Sequence, residues 1–173
     1  YPFRGNLTYT VRTDRDVEFD LHIRIPSNVT SMTVDGEEIT ARRGFATVRR
    51  VWSGETTLAV TLTFAPKLVN RPYSLKTAEY GPLVFALKIE NQKKKIEYVA
   101  KDVERTYPYC DWSISPTSDW QFGFADSELI PVEHPEQESA FSEGAPMLTL
   151  RANMVPINWG YRDGYTGVCA KTP

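Results

Sequence analysis

Apolar and polar residues alternate along most of the first 65 positions, and that alternation is the strongest signal in the chain. From Leu7 to Thr13, Leu7, Tyr9 and Val11 fall on one side and Thr8, Thr10 and Arg12 on the other. A period of two puts successive side chains on opposite faces of a strand, so this stretch predicts a half-buried β-strand. After Asp14-Arg15-Asp16 the pattern returns more strongly. Val17, Phe19, Leu21, Ile23 and Ile25 oppose Glu18, Asp20, His22 and Arg24, until Pro26 removes a ladder donor. The two runs predict an antiparallel hairpin.

A short strand around Met32 to Val34 leads through Asp35-Gly36 into Glu38 to Ala41. Asp-Gly tolerates the positive φ angles of a type I′ turn, so a second hairpin is expected. Gly44 opens a strand from Phe45 to Trp52, and Ser53-Gly54-Glu55 turns the chain into Thr56 to Phe64. There Leu58, Val60, Leu62 and Phe64 share a face, and Pro66 closes the strand. Behind Gly81-Pro82 the continuous apolar run Leu83 to Leu87 reads as a strand covered on both faces. Six or seven short strands by residue 90 imply two packed sheets. No sustained i, i+3, i+4, i+7 pattern with caps occurs, so no long helix is expected.

Beyond Glu90 the texture changes. Asn91-Gln92-Lys93-Lys94-Lys95 reads as a solvated loop tip or a sheet edge, where charge discourages edge-to-edge pairing. Residues 105 to 125 are dense in aromatics (Tyr107, Tyr109, Trp112, Trp120, Phe122, Phe124), and Pro131, Pro135 and Pro146 punctuate an acidic stretch. Irregular loops with short strands fit best there. Met147 to Ala152 alternates again, and Trp159 to Pro173 is rich in Gly and Tyr without a clear period. The expected organisation is an all-β, antiparallel, jelly-roll-like sandwich with little or no helix. Residues 1–90 form its core, and residues 91–173 add loops and strands that complete or extend it.

Composition agrees with the pattern. Val, Ile and Thr total 39 and the aromatics 21, against 26 for Ala, Leu and Met together, a bias toward side chains that suit a pleated surface. With 173 residues the chain has room for a real core. Twenty Lys and Arg against twenty-two Asp and Glu give a net charge of −2 with neither sign concentrated, which argues against a nucleic-acid partner. Apolar runs are only a few residues long, which argues against a membrane-spanning helix. Two cysteines, Cys110 and Cys169, are too few for a disulfide scaffold and do not settle the compartment. The start, Tyr-Pro-Phe-Arg, has neither an initiator Met nor the pattern of a signal peptide, so the chain reads as cut from something longer.

Several segments together resemble a known family. They are Tyr1-Pro2-Phe3, Leu21 to Pro26, Val34-Asp35-Gly36, Gly44-Phe45, Arg50-Val51-Trp52 and Tyr80 to Leu87. Their order resembles the C-terminal β-sandwich region of glycoside hydrolase family 127, the β-L-arabinofuranosidase-like proteins. Ile114 to Phe124, and Ala145-Pro146-Met147 through Trp159, resemble later segments of one branch. Asn28 stands where a Trp is usual, and Gln121-Phe122 replaces the commoner Asn-Tyr. The resemblance implies a catalytic (α/α)6 barrel N-terminal to this region, with zinc bound by a glutamate and cysteines and one cysteine as nucleophile. No residue here maps onto those positions. It also implies a few residues after Pro173 that add a final strand. The chain is therefore expected to be a noncatalytic accessory region, without cofactor or metal, whose partner is the helical barrel of the same protein, with a homo-oligomer contact as a further option.

Local chemistry offers two other readings. Trp112, Trp120 and Trp159 present flat apolar faces of the kind that stack on sugar C–H groups, so a carbohydrate-binding module is the alternative. The bland reading of those rings is burial in a core or interface. Asp111, Asp119, Asp126 and Glu128 are the acids interleaved with aromatics, and a glycosidase needs two carboxyl groups about 5 to 9.5 Å apart. Nothing in their spacing forces any two together, and turn residues bonding local backbone explain them as well. Ser118 lacks a G-x-S-x-G setting, His22 lies on a strand's polar face, and His134 has no visible orienting residue. Cys110 and Cys169 can pair only if their Cα atoms come within about 7 Å. Asn6-Leu7-Thr8 and Asn28-Val29-Thr30 match the glycosylation triplet, which matters only in a secreted protein.

Overall fold

The computed structural model describes residues 1–40, 44–137, 146–162 and 165–167. Its strands run β1 Asn6–Arg12, β2 Val17–Arg24, β3 Val29–Val34, β4 Glu37–Glu38, β5 Phe45–Trp52, β6 Glu55–Phe64, β7 Pro66–Asn70, β8 Lys76–Tyr80 and β9 Leu83–Phe85. They continue with β10 Asn91–Ile96, β11 Tyr98–Ala100, β12 Val103–Arg105, β13 Asp111–Pro116, β14 Phe122–Glu133, β15 Leu148–Pro156, β16 Tyr161–Arg162 and β17 Tyr165–Thr166. One 3-10 turn, Pro72–Ser74, is the sole helical element among the described residues. The chain is all-β, an antiparallel β-sandwich. It divides into two compact units, one of Tyr1–Phe85 with Ser127–Ala152 and one of Ala86–Asp126 with Asn153–Pro173. β14 and β15, which pair, contribute residues to both.

The first unit is built around a four-stranded sheet, β1-β6-β3-β4, and a two-stranded sheet, β2-β5. The expected hairpin between β1 and β2 does not form. β1 pairs with β6 from Asn6↔Thr61 to Arg12↔Glu55, and β2 pairs with β5 from Val17↔Trp52 to Arg24↔Phe45. Alternation fixes which face of a strand is apolar but not which strand it bonds. The Asp14-Arg15-Asp16 and Ser53-Gly54 links both cross between sheets, and Thr13 N donates to Gly54 O at 2.8 Å, tying the two crossings together. The Asp35-Gly36 hairpin forms as expected, with positive φ at both residues. Of the strand expected to follow it, Ala41 lies outside the described residues.

The apolar rows meet in one cluster: Ile23 from β2, Met32 and Val34 from β3, Ala46, Val48 and Trp52 from β5, and Leu58, Val60, Leu62 and Phe64 from β6. Trp52 is wholly buried, and its Nε1 donates to Phe19 O at 3.0 Å, so its one polar atom is satisfied inside. Phe19 stacks on it at 5.3 Å. Gly5 closes one end. Its O accepts from Leu62 N at 2.9 Å, and a Cβ at this position would stand 1.8 Å from Leu62 O.

Two further expectations are corrected. The run Leu83 to Leu87 is not covered on both faces: β9 is the outer strand of β7-β8-β9, with Val84 63% and Leu87 44% exposed. An apolar run alone does not reveal how many neighbours a strand has. β7 and β8 carry no alternating apolar row, since Leu68 and Val69 are adjacent and Lys76 and Glu79 lie in β8; across the pair Lys67 Nζ lies 3.9 Å from Glu79, which also binds Arg71. The Pro-rich stretch is not irregular throughout, since β14 runs for twelve residues straight through Pro131. A two-stranded ribbon has an outward edge where a missing N–H breaks no ladder bond. The basic run, expected as a loop tip or a sheet edge, is the strand β10, which pairs with β13 in a two-stranded sheet.

Trp52→Ala should lower unfolding free energy in urea by about 3–5 kcal/mol. Gly5→Ala should be severely destabilising as well, whereas Gly160→Ala, where an added Cβ meets nothing within 4 Å, should leave the urea midpoint nearly unchanged. Asp35 adds a pH dependence. The Ala59 N–H (2.9 Å to Oδ1) and then Arg50 hold its carboxyl below the ordinary range. A depressed carboxylate stabilises above its unfolded pKa, and that contribution disappears as pH falls through the folded value. The stability difference between wild type and Asp35→Ala should therefore shrink on moving from pH 7 to about pH 2.

Candidate functional site

The second unit gathers aromatic side chains around one concavity, and strand pairing explains how. β10 and β13 pair from Asn91↔Pro116 through Lys93↔Ile114 to Lys95↔Trp112. Directly paired residues of an antiparallel ladder share a face, so Asn91, Ile114 and Pro116 lie on one side with Trp112 further along it. Past β13 the chain is held by Thr117 N donating to Glu90 O at 2.7 Å, and Ser118 Oγ accepts from Glu90 N at 3.0 Å. Trp120 follows at once. Ile157 N donates to Gln121 O at 3.0 Å, which brings Trp159 beside Trp120 although 39 positions separate them.

The two indoles meet edge to face, with centroids 4.9 Å apart and planes at 72°. Tyr161 joins at 6.0 Å and 67° from Trp120. Such offset geometry is the one the ring quadrupoles favour. Trp159 Nε1 donates to Gly167 O at 2.7 Å, and Gly167 N returns a bond to Gly160 O at 2.9 Å, which fixes the ring. Ile89, Asn91, Ile114, Pro116, Trp120, Trp159 and Tyr161 line a cavity of about 330 Å³. That volume lies at the small end of the range for small-molecule sites.

The three tryptophans singled out from the sequence therefore separate. Trp120 and Trp159 are half-buried and share the cavity, while Trp112 is exposed and does not line it. Sequence reasoning missed Asn91 and Tyr161. Tyr161 sits in a Gly-rich tail with no period, and only the β10–β13 register shows that Asn91 faces the same way as Ile114.

Of the four acids, Asp111 lies in β13 and Asp126 and Glu128 in β14 rather than in loops. Asp111 accepts from the Tyr98 hydroxyl, and this bond together with the carboxylate charge raises the Tyr98 phenol above its usual range. Asp126 Oδ2 accepts from Asn153 Nδ2 at 2.9 Å, and Asp119 and Glu128 are exposed. Glu97, bonded by Tyr107 N at 3.0 Å and by Lys95, is held below the ordinary carboxylate range. Both histidines touch a threonine: His22 Nδ1 lies 3.0 Å from Thr47 Oγ1, and His134 Nε2, for which the sequence showed no orienting residue, lies 2.9 Å from Thr149 Oγ1. Among the described residues no three His, Cys, Asp or Glu side chains converge as metal ligands would. Cys110 is buried, and Cys169 lies outside the described residues, so their pairing does too. Of the two glycosylation triplets, Asn6 is exposed, whereas Asn28 is half-buried with its Oδ1 shielded.

In the first unit a cavity of about 430 Å³ is lined by Arg24, Ser27, Asn28, Lys67 and Glu79 among others. Its acid is already engaged by Lys67 and Arg71. The aromatic cavity is the better candidate, because its shape rests on rings held by packing and by backbone bonds.

Residues 1–64 match the family model described as Beta-L-arabinofuranosidase, GH127 middle domain. This stretch holds every residue of the buried core cluster. The matched description is of a middle domain, so it supports a GH127-related β domain and not the C-terminal placement that the resemblance implied. No curated protein matches. Among solved structures the chain is similar to Ara127N-Se, a GH127 β-L-arabinofuranosidase from Geobacillus stearothermophilus T6, at 17% identity and a TM-score of 0.42, covering 90% of this chain and 26% of that one. A structure titled "Glycoside hydrolase" is similar at 16% identity and a TM-score of 0.40, covering 91% and 27%. The chain thus spans about a quarter of the length of these structures.

The ring geometry yields a prediction of its own. Trp159→Phe keeps an aromatic edge against Trp120 but removes the bond to Gly167 O, and should cost about 1 kcal/mol in chemical denaturation.

Proposed function

We propose that this chain is a noncatalytic β-sandwich accessory region of a GH127-like glycoside hydrolase, which packs against the (α/α)6 catalytic barrel of the same protein. The observation that carries the reading is the family match over residues 1–64, the same stretch that closes the buried core. The physical chemistry is compatible with a supporting role. The buried cluster is wholly apolar, and the charged groups near it are ion-paired at the surface: Arg49 with Glu18 and Asp20, and Arg50 with Asp35. Phe45 and Val51, on the outward face of β5, are exposed and offer apolar area to a neighbour in the way inter-domain interfaces do. The barrel and its contact with this chain belong to the proposal.

A hydrolysis assay tests it. The isolated chain should release no aryl alcohol from an aryl β-L-arabinofuranoside, and the same chain produced together with its upstream reading frame should do so. Turnover by the isolated chain that disappears in Asp126→Asn or Asp111→Asn would instead make it a hydrolase using those carboxyl groups.

A further inference from the structure

We propose that the aromatic cavity of the second unit is a carbohydrate-binding site that takes a neutral sugar of one or two rings. This goes beyond the accessory reading and holds or fails independently of it. The cavity combines apolar lining with polar groups. Ile114, Pro116 and the rings of Trp120 and Trp159 supply apolar lining, in a cavity of about 330 Å³.

Three polar groups stand around it. Trp120 Nε1 has no acceptor among the described residues, although the ring is half-buried. The Tyr161 side chain is 65% exposed and carries a hydroxyl that can donate and accept. Asn91 donates through Nδ2 to Ile89 O at 3.2 Å, which leaves its Oδ1 as an acceptor. Trp159 plays no such part, since its N–H is held by Gly167 O and the ring is fixed before any ligand arrives.

A ligand that fits must bring an apolar face to the rings and both donors and acceptors to the rim. An acyl chain or an apolar side chain would cover the rim groups without bonding them, and each polar group desolvated without a partner opposes binding. None of the seven lining residues is charged, although Lys93, paired with Ile114, shares the face of Asn91 and Pro116. A sugar ring has what remains: a face of C–H groups for stacking and a circumference of hydroxyls. The geometry also divides the tryptophans, assigning Trp120 and Trp159 to the site and leaving Trp112 outside it.

The test is titration of the 173-residue chain with arabinotriose, xylotriose and cellotriose, read by tryptophan fluorescence. At least one should give a saturable change with a millimolar dissociation constant. Tyr161→Phe and Asn91→Ala each remove one rim group and should weaken that affinity about three- to tenfold. Trp120→Ala should abolish it, and Trp112→Ala should leave it within about twofold, as expected for a ring outside the site. If Trp120→Ala fails to fold, the two rim variants decide. No response to any of the three sugars up to tens of millimolar overturns the proposal and favours a face covered by another protein surface. A response that survives both rim variants, or that is lost in Trp112→Ala, overturns it equally.

Discussion

Trp52 sits where the two sheets of the first unit meet, and much of the architecture is arranged to let it do so. Its ring is wholly buried, its N–H is bonded to Phe19 O, and Phe19 stacks against it. Burying so large a side chain stabilises only if its polar atom is satisfied and the surrounding rows fill the space around it. The alternating residues of β6 and the inward residues of β2, β3 and β5 provide that filling. One edge is completed by Arg50, whose guanidinium lies over the Trp52 ring at 5.2 Å and bonds Asp35 at the β3–β4 turn. Asp35 in turn accepts from Ala59 N on β6. A chain of contacts therefore runs from the core tryptophan through a surface cation to the hairpin turn and back into the central strand.

The second unit works on a different principle. Its strands pair in twos, and most of their residues are exposed, so an extensive buried core is not what organises it. Instead, backbone bonds between distant segments, Thr117 to Glu90 and Ile157 to Gln121, bring the tryptophans into edge-to-face contact. Rings held this way remain partly accessible. That combination, rigid placement with a face left open, is what separates a site from a core, and it is why the candidate site falls here rather than among the tightly packed rows of the first unit.

The two readings of the chain occupy different residues. Support of a neighbouring domain draws on the region that matches the GH127 middle domain, residues 1–64. Sugar recognition draws on Asn91, Trp120 and Tyr161, all outside that stretch. An accessory region can therefore keep its core fixed by packing while the loops and ribbons beyond it vary in what they hold.

The amino-acid order by itself determined the all-β class, the shared apolar faces of β2 and β6, the Asp35-Gly36 turn and the solvated tip-or-edge character of the lysine-rich run. Each of these depends on neighbours a few residues away, through the two-residue period, positive φ tolerance or like-charge repulsion. Tertiary structure alone decided that β1 bonds β6 rather than β2, that Leu83–Phe85 is an outer strand, and that Trp120 and Trp159 meet while Trp112 stands apart. The physical reason is common to all three. Which strands pair, and which distant side chains share a cavity, is set by the competition among long-range backbone ladders, and a local pattern carries no record of its outcome.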